Sequence, residues 1–419
     1  MTDSVLDPER LRPLFDLRSD VYLTRGGAFD VDPYPFFARM RETGPVHENI
    51  PHVELGWTGD VVFQGLPNPD RRHFTAYDFE TCSQVLKDDT AYQTNIEPIP
   101  GEAPLPDAAI LYMNGRQHRD YRTLVQPSFV PARAMWWVEN WVSSVIDRLI
   151  ETISERGSSD LNVEFCAPIP MLTITGSFGL TVEQALEVRA AVTSDGQDTT
   201  TLARLLLPII AARREEPRDD LITVLVQAER TDEDGVTHTL SDVEVLSFGL
   251  LLLAAGSGTT WKQMGITLYA LLSNPAIADA VRDDPSMMRA VIEESLRWMP
   301  TDPVFARFVV RDTELGGVEV PAGSVMHVCL AAANRDPARW SDPDVFDPYR
   351  ELKPHLGFGH GPHTCLGMHV ARAEMTHGIT RLLQRLPDLR FDPSAPPTRI
   401  IGLYERGPDA LPVVFGGNS

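Results

Sequence analysis

The chain has 419 residues, enough for a large buried core, with the hydrophobic and charged fractions of an ordinary globular protein. Its formal net charge of -22, spread along the sequence, disfavours nucleic acid as a general partner, because phosphate binding needs a basic face. The four cysteines, Cys82, Cys166, Cys329 and Cys365, are far apart and form no C-x-x-C pair, which argues against a disulfide framework and for a reducing compartment.

From Met1 to Leu17 the chain carries Asp3, Asp7, Glu9, Arg10 and Arg12, without the apolar stretch of a signal peptide. Asp32-Pro33 marks a helix start that Gly44 ends. Val53 to Phe63 and Arg71 to Thr75 read as strands around a Pro67-Asn68-Pro69-Asp70 turn. Helical spacing dominates from about Tyr77. Ala132 to Ile153 forms one amphipathic helix with Trp137, Trp141, Val145, Leu149 and Ile153 on one side, where tryptophan is core. A further helix starts at Pro217-Arg218-Asp219-Asp220. Ser241-x-x-Glu244 is a capping box that opens a long helix running past Leu268. The apolar run Leu246 to Gly256 is too short to span a bilayer, so the expectation is a soluble cytoplasmic protein with no membrane contact. After Pro300 the pattern turns extended: Val318 to Val320, Val325 to Val328 and Leu411 to Phe415 read as strands. There is no internal repeat and no linker, so residues 1–419 are expected to form a single domain. It is mainly α, with strand-rich segments near 50–76 and 309–330 and at 395–416.

Phe358-Gly359-His360-Gly361-Pro362-His363-Thr364-Cys365-Leu366-Gly367 places one cysteine among three glycines ahead of an apolar helical pattern. Glycine permits sharp turns and close approach to a flat ligand. A cysteine near a helix start is placed to be a thiolate, which is a nucleophile and a metal ligand. Taken alone the segment fits a turn with a buried cysteine, a nucleophilic cysteine with a nearby histidine, or zinc held by His360, His363, Cys365 and His369.

The decapeptide resembles the haem-binding signature of the cytochromes P450, F-G-x-G-x-[HR]-x-C-x-G, at every fixed position, and further motifs follow in order from about Asp32 to Phe415. The resemblance implies the P450 fold, a haem b cofactor with iron ligated by Cys365, and a haem-thiolate monooxygenase that inserts one oxygen atom from O2 into a mostly apolar small molecule. Phe358, Gly359, Gly361 and Gly367 then shape the loop around the cofactor. Glu294-Ser295-Leu296-Arg297 matches the family's E-x-x-R pair. Its arginine partner is expected at Arg350. The resemblance makes His118, Arg122, Arg307 and His363 the partners of the haem propionates.

Ala255-Gly256-Ser257-Gly258-Thr259-Thr260 corresponds to the family's A-G-x-[DE]-T-T. The resemblance implies that Gly256 leaves room for oxygen and haem and that Thr259 supports oxygen activation. Gly258 stands where the family carries an acid that relays protons, so the relay is expected to run through water, Ser257 or Thr259. That departure raises the alternative of a peroxide-driven or poorly coupled oxygenase. A non-catalytic haem-binding sensor is an alternative of another class. Phe248, Leu251, Leu252, Ala255, Val304, Phe305 and Tyr404 are expected to line the substrate pocket, with Glu405 as a polar anchor. Thr181 to Pro217 is short for the family's two roof helices, and Gly44 to Tyr77 is long for its first strand pair. Electrons are expected from a ferredoxin-type iron–sulfur protein docking on Arg116, Arg119 and Arg372, since no fused reductase follows the last strand.

Overall fold

Capping and glycine signals set where the chain bends, and a computed structural model describes the result for residues 6–18, 26–58, 71–94, 110–194, 198–231 and 235–416. Helices α1 (Pro8–Phe15) and α2 (Tyr34–Thr43) come first. Asp32 accepts the Tyr34 N–H at 3.1 Å, and Gly44 follows the last turn of α2, within a residue of the bounds read from sequence. The strand expected over Val53 to Phe63 is corrected at its start, where Val53 lies in a short helix, Pro51–Glu54, while residues 59–63 lie outside the described residues. Pro51 has its φ preset at the first helical turn, and Gly56, at φ +95°, stops the helix. The Pro67-Asn68-Pro69-Asp70 turn lies outside the described residues.

Strands β1 (Val46–His47), β2 (His73–Ala76) and β3 (Tyr92–Gln93) surround α3 (Phe79–Lys87) in sequence. Helix α4 (Gly115–Val125) follows. The predicted amphipathic helix is continuous as α5 (Pro131–Trp137), a π turn (Val138–Val142) and α6 (Ser143–Ser154). The wider turn rotates the apolar stripe, so Trp137, Leu149 and Ile153 are buried while Trp141 and Val145 are half-buried. Beyond β4 (Ser158–Asp160) come α7 (Pro168–Gly176), α8 (Val182–Thr193), α9 (Thr199–Glu215) and α10 (Leu221–Gln227). Asp220 caps α10 by accepting the Thr223 N–H at 2.8 Å.

The long helix is α11 (Asp242–Gly258) and α12 (Thr260–Ser273), interrupted at Thr259. Its capping box is formed: Glu244 accepts the Ser241 N–H at 2.7 Å while Ser241 Oγ accepts the Glu244 N–H at 3.3 Å. Asp242–Ser273 is long and apolar enough to cross a membrane by length and composition. Here it runs through the protein interior, where Phe248, Leu253, Trp261, Met264 and Leu268 are buried in two large cores. Helices α13 (Met288–Trp298) and α14 (Met368–Arg385) pack beside α12 in the first core.

The β-rich part is smaller. Strands β5 (Phe305–Val309), β6 (Thr313–Leu315), β7 (Val318–Val320) and β8 (Val325–Val328) follow α13. The main sheet has the order β1-β2-β8-β5-β3, with β8 parallel to β2 and antiparallel to β5. Met326 pairs with Arg307, and that register sets the arginine at a defined place on the sheet. Strands β9 (Arg390–Phe391), β10 (Ile400–Ile401), β11 (Gly407–Pro408) and β12 (Pro412–Val414) complete the chain. Strands β10 and β11 form a hairpin, and β12 lies between β9 and β4.

Candidate active site

The Cys365 loop is built from its own backbone. Phe358 O accepts the Cys365 N–H at 2.9 Å, and Gly361 O accepts both the Thr364 N–H at 3.1 Å and its hydroxyl at 2.7 Å. Gly361 has φ +74°, and a Cβ there would lie 2.3 Å from Leu86 O of α3, so only glycine fits. The Phe358 ring sits under the Arg372 guanidinium at 4.5 Å. Gly367 precedes the first residue of α14. Cys365 is the one accessible cysteine among the four, although protein encloses it. Burial pushes its thiol pKa up against the opposing Gly367 N–H, which disfavours a free nucleophilic thiolate. Among the described residues no group of three or more His, Cys, Asp or Glu is placed to hold a metal ion, so the zinc reading finds no support.

Four basic side chains from three parts of the chain meet next to this loop. The rings of His118 on α4 and His363 are 3.9 Å apart. Arg122, one turn after His118, donates to Thr364 O at 2.6 Å. Arg307 donates to the Ala306 carbonyl at 2.8 Å. Burial, then the Arg122 charge, lowers the His118 pKa to about 4. Burial, then His118, Arg307 and Arg122, lowers that of His363 to about 3. Burial lowers Arg307 to about 10. His118 Nδ1 and His363 Nε2 are buried without hydrogen-bond partners, and neither Arg122 nor Arg307 has an ion pair among the described residues. A cluster of enclosed cations and orphaned ring nitrogens is costly alone and complementary to a ligand with carboxylates. An accessible thiol beside it fits the iron and the propionates of a haem.

The E-x-x-R expectation is met in full. Arg297 donates to both Glu294 oxygens at 2.7 Å, Arg350 Nε donates to Glu294 Oε1 at 3.0 Å, and so does the Asp347 N–H at 2.9 Å. Arg297 also reaches the carbonyls of Asn334, Pro343 and Val345 at 3.0, 2.8 and 3.1 Å. This ties α13 to the segment that leads into the cysteine loop.

On the long helix, Ala255 is exposed and Leu251, Gly258 and Thr259 are half-buried, which marks one open face. Three expectations need correction. Ser257 is fully buried on the opposite side: its hydroxyl donates to Leu253 O at 2.8 Å, and Arg189 of α8 donates to its carbonyl at 3.2 Å. The space that a side chain would need at Gly256 is taken by Ile174 of α7, 2.8 Å from the Cβ position, so glycine serves helix packing there. Phe248 and Leu252 are core, with Phe248 stacked on Tyr121. Sequence reasoning also missed Lys262 and Asp302. Lys262 Nζ donates to Gly258 O at 2.8 Å and pairs with Glu405. Its position one helical turn after Gly258 was the available signal. The surface patch is smaller than expected: Arg372 is held by Glu293 at 2.6 and 2.9 Å and Arg116 lies 3.4 Å from Asp120, while Arg119 is exposed.

The cytochrome P450 family model matches residues 198–399. Cytochrome P450 107B1 of Saccharopolyspora erythraea is 34% identical over 92% of this chain and 96% of its own length. Cytochrome P450 monooxygenase PikC of Streptomyces venezuelae is 31% identical over 93% and 92%. The crystal structure of P450BioI, in complex with a hexadec-9Z-enoic acid ligated acyl carrier protein, superposes with a TM-score of 0.78 at 25% identity, covering 92% of this chain and 99% of that one. Similarity sustained over nearly the whole of both sequences goes beyond a shared loop, and the chain belongs to the cytochrome P450 family of haem-thiolate monooxygenases.

Proposed function

We propose that Cys365 would hold the haem iron through its thiolate and that the enzyme oxygenates a small, mostly apolar organic molecule. Its electrons would come from a separate ferredoxin-type iron–sulfur protein in the cytoplasm. The carrying observation is the convergence of His118, Arg122, Arg307 and His363 beside the accessible Cys365 thiol. Bound haem would supply the iron that activates O2.

The chain's own residues do the rest. His118, Arg122, Arg307 and His363 bind and orient the propionates. The turns at Gly359 and Gly361 hold the loop so that Cys365 faces the cofactor, with Phe358 and Gly367 at its ends. Thr259, at the break between α11 and α12, holds a proton at its hydroxyl on the open face of the helix. Leu251 and Ala255 on that face present apolar surface to the substrate and exclude water. Exposed Arg116 and Arg119 on α4 support docking of an acidic electron donor.

The test is the absorbance spectrum of the reduced protein under carbon monoxide. A strongly red-shifted Soret band is expected in the natural protein and its loss in Cys365→Ala. A natural protein that takes up haem without that band would sink the assignment. Substrate turnover driven by a ferredoxin chain, compared with turnover driven by peroxide, then separates the monooxygenase from the peroxide-dependent alternative. Bound substrate with no oxidised product in either assay would favour the sensor.

A further inference from the structure

A side chain at position 258 would point at a single group. Its Cβ would lie 3.9 Å from Glu405 Oε1, with no other heavy atom within 4 Å apart from the two adjacent residues and the helix's own backbone. Glu405 comes from the turn between β10 and β11, far from Gly258 in sequence. That turn is held firmly. Gly402, at φ +104°, lies so close to the Glu405 carbonyl that a Cβ would sit 2.1 Å from its oxygen. Arg406 donates to the carbonyls of Gly402 at 2.6 Å and Ile400 at 3.1 Å. The Arg406 N–H and carbonyl both pair with Thr301 at 2.7 Å.

Lys262 joins the two sites. Its side chain is fully buried, and Nζ bridges Gly258 O, at 2.8 Å, and the Glu405 carboxylate, whose own side chain stays 21% exposed. Asp302, next to Thr301, is the third member. Its Oδ1 is buried without a hydrogen-bond partner, and burial, then the Glu405 charge, pushes its carboxyl up to about 8 against the pull of Lys262. A lysine–carboxylate pair that served stability alone would not need a second, protonated carboxyl beside it.

We propose that Glu405, clamped by Lys262 against the Gly258 carbonyl, takes the place of the acid absent from position 258 and, with Asp302, carries protons to the Thr259 side of the pocket. This rests on the haem-thiolate reading above. Oxygen insertion consumes O2, two electrons and two protons: one oxygen atom enters the substrate and the other leaves as water. Glu405 has one edge in contact with solvent for reprotonation and its carboxylate fixed against the helix break. Asp302 is protonated near neutral pH and so has a proton to give.

The test uses Glu405→Gln in the haem-loaded enzyme. O2 uptake is driven by NADH through a bacterial ferredoxin and its reductase, without added substrate, in water and in deuterium oxide. Uptake is expected to fall at least about tenfold and its solvent isotope effect to rise. Gly258→Asp in the same background should restore both, since the Cβ meets nothing closer than residue 405. Glu405→Asp, an acid one methylene shorter, should keep most of the rate. A readout independent of turnover is the infrared titration of the Asp302 carboxyl, identified by its loss in Asp302→Asn: Glu405→Gln should lower its midpoint. An unchanged rate and isotope effect, a slower rate with an unchanged isotope effect, or an unmoved Asp302 midpoint would each overturn the proposal. The reduced carbon monoxide band, recorded on the same samples, tells failure of this relay from failure of the haem-thiolate reading.

Discussion

Two arginine clusters serve the cysteine loop and the segment that leads into it, and their chemistry is opposite. Around Glu294 the guanidinium groups of Arg297 and Arg350 are surrounded by carboxylate and carbonyl oxygens at 2.7–3.1 Å. Around Cys365, Arg122 and Arg307 each donate to a backbone carbonyl, have no ion pair among the described residues, and stand beside two histidines that burial keeps neutral. Completed bonding holds a fold together. Incomplete bonding in an enclosed place is a cost to the empty protein that a ligand of matching charge repays. On the proposed reading the same residue type is structural on one side and ligand-binding on the other.

The comparison breaks most sharply at Arg297. Lysine there offers one ammonium in place of a planar fork and cannot reach both Glu294 oxygens and three carbonyls. Arg297→Lys is expected to cost about 3–5 kcal/mol, as for breaking a buried ion pair. Urea unfolding of the haem-loaded protein measures it, and a loss below 1 kcal/mol would place the brace among ordinary surface pairs.

Glu293, on the same helix, gives the pH dependence of the satisfied side. Burial alone would raise its pKa, but hydrogen bonds from His355 at 3.1 Å and from Arg372 overcome it and lower the value from 4.5 to about 2. A folded pKa below the unfolded one means that the stabilisation is fully present above 4.5 and is lost as pH falls from 4.5 toward 2. That contribution is on the order of 3 kcal/mol. Unfolding followed from pH 5 downward should show a shallower decline in Glu293→Gln, and parallel curves would contradict it.

Arg307 tests the unsatisfied side, where the sign should depend on the ligand. Arg307→Met removes the proposed propionate partner and is expected to weaken haem binding by about 1.5–3 kcal/mol, the range for hydrogen bonds to charged groups. The haem-free protein should gain stability from the same change, because an enclosed and unpaired charge is gone. Haem titration and haem-free unfolding are read side by side. Destabilisation in both would make Arg307 a structural residue like Arg297.

Features local in sequence were legible. The loop from Phe358 to Gly367, the Glu294–Arg297 pair and the Ser241 capping box each lie within one turn or one helix, so spacing fixes their geometry. What stayed hidden depends on contacts across the chain. Lys262 and Glu405 are 143 residues apart, and nothing in either segment announces the other. Helix α11 is apolar nearly all round, so its sequence does not say which face turns to the core; Phe248, Leu252 and Ser257 were therefore set on the wrong side. At Val53 the apolar pattern suggests an extended chain, but Pro51 in the first turn and Gly56 just past the last one decide the backbone.

The smallest expected effect sharpens the contrast between the two sides of α11. Ser257 stands between Gly256 and Gly258, yet its hydroxyl serves the helix backbone through Leu253 O, and Arg189 holds mainly its carbonyl, a bond that alanine keeps. Ser257→Ala should therefore cost only about 0.5–1 kcal/mol of stability. It should leave O2 uptake and its solvent isotope effect as in the natural enzyme, while Thr259→Ala, on the open face, should alter the ratio of product to electrons. If Ser257→Ala raised the isotope effect instead, protons would be travelling along the buried side of the helix, and the division between a structural face and a reactive face would fail where it is narrowest, across two adjacent turns.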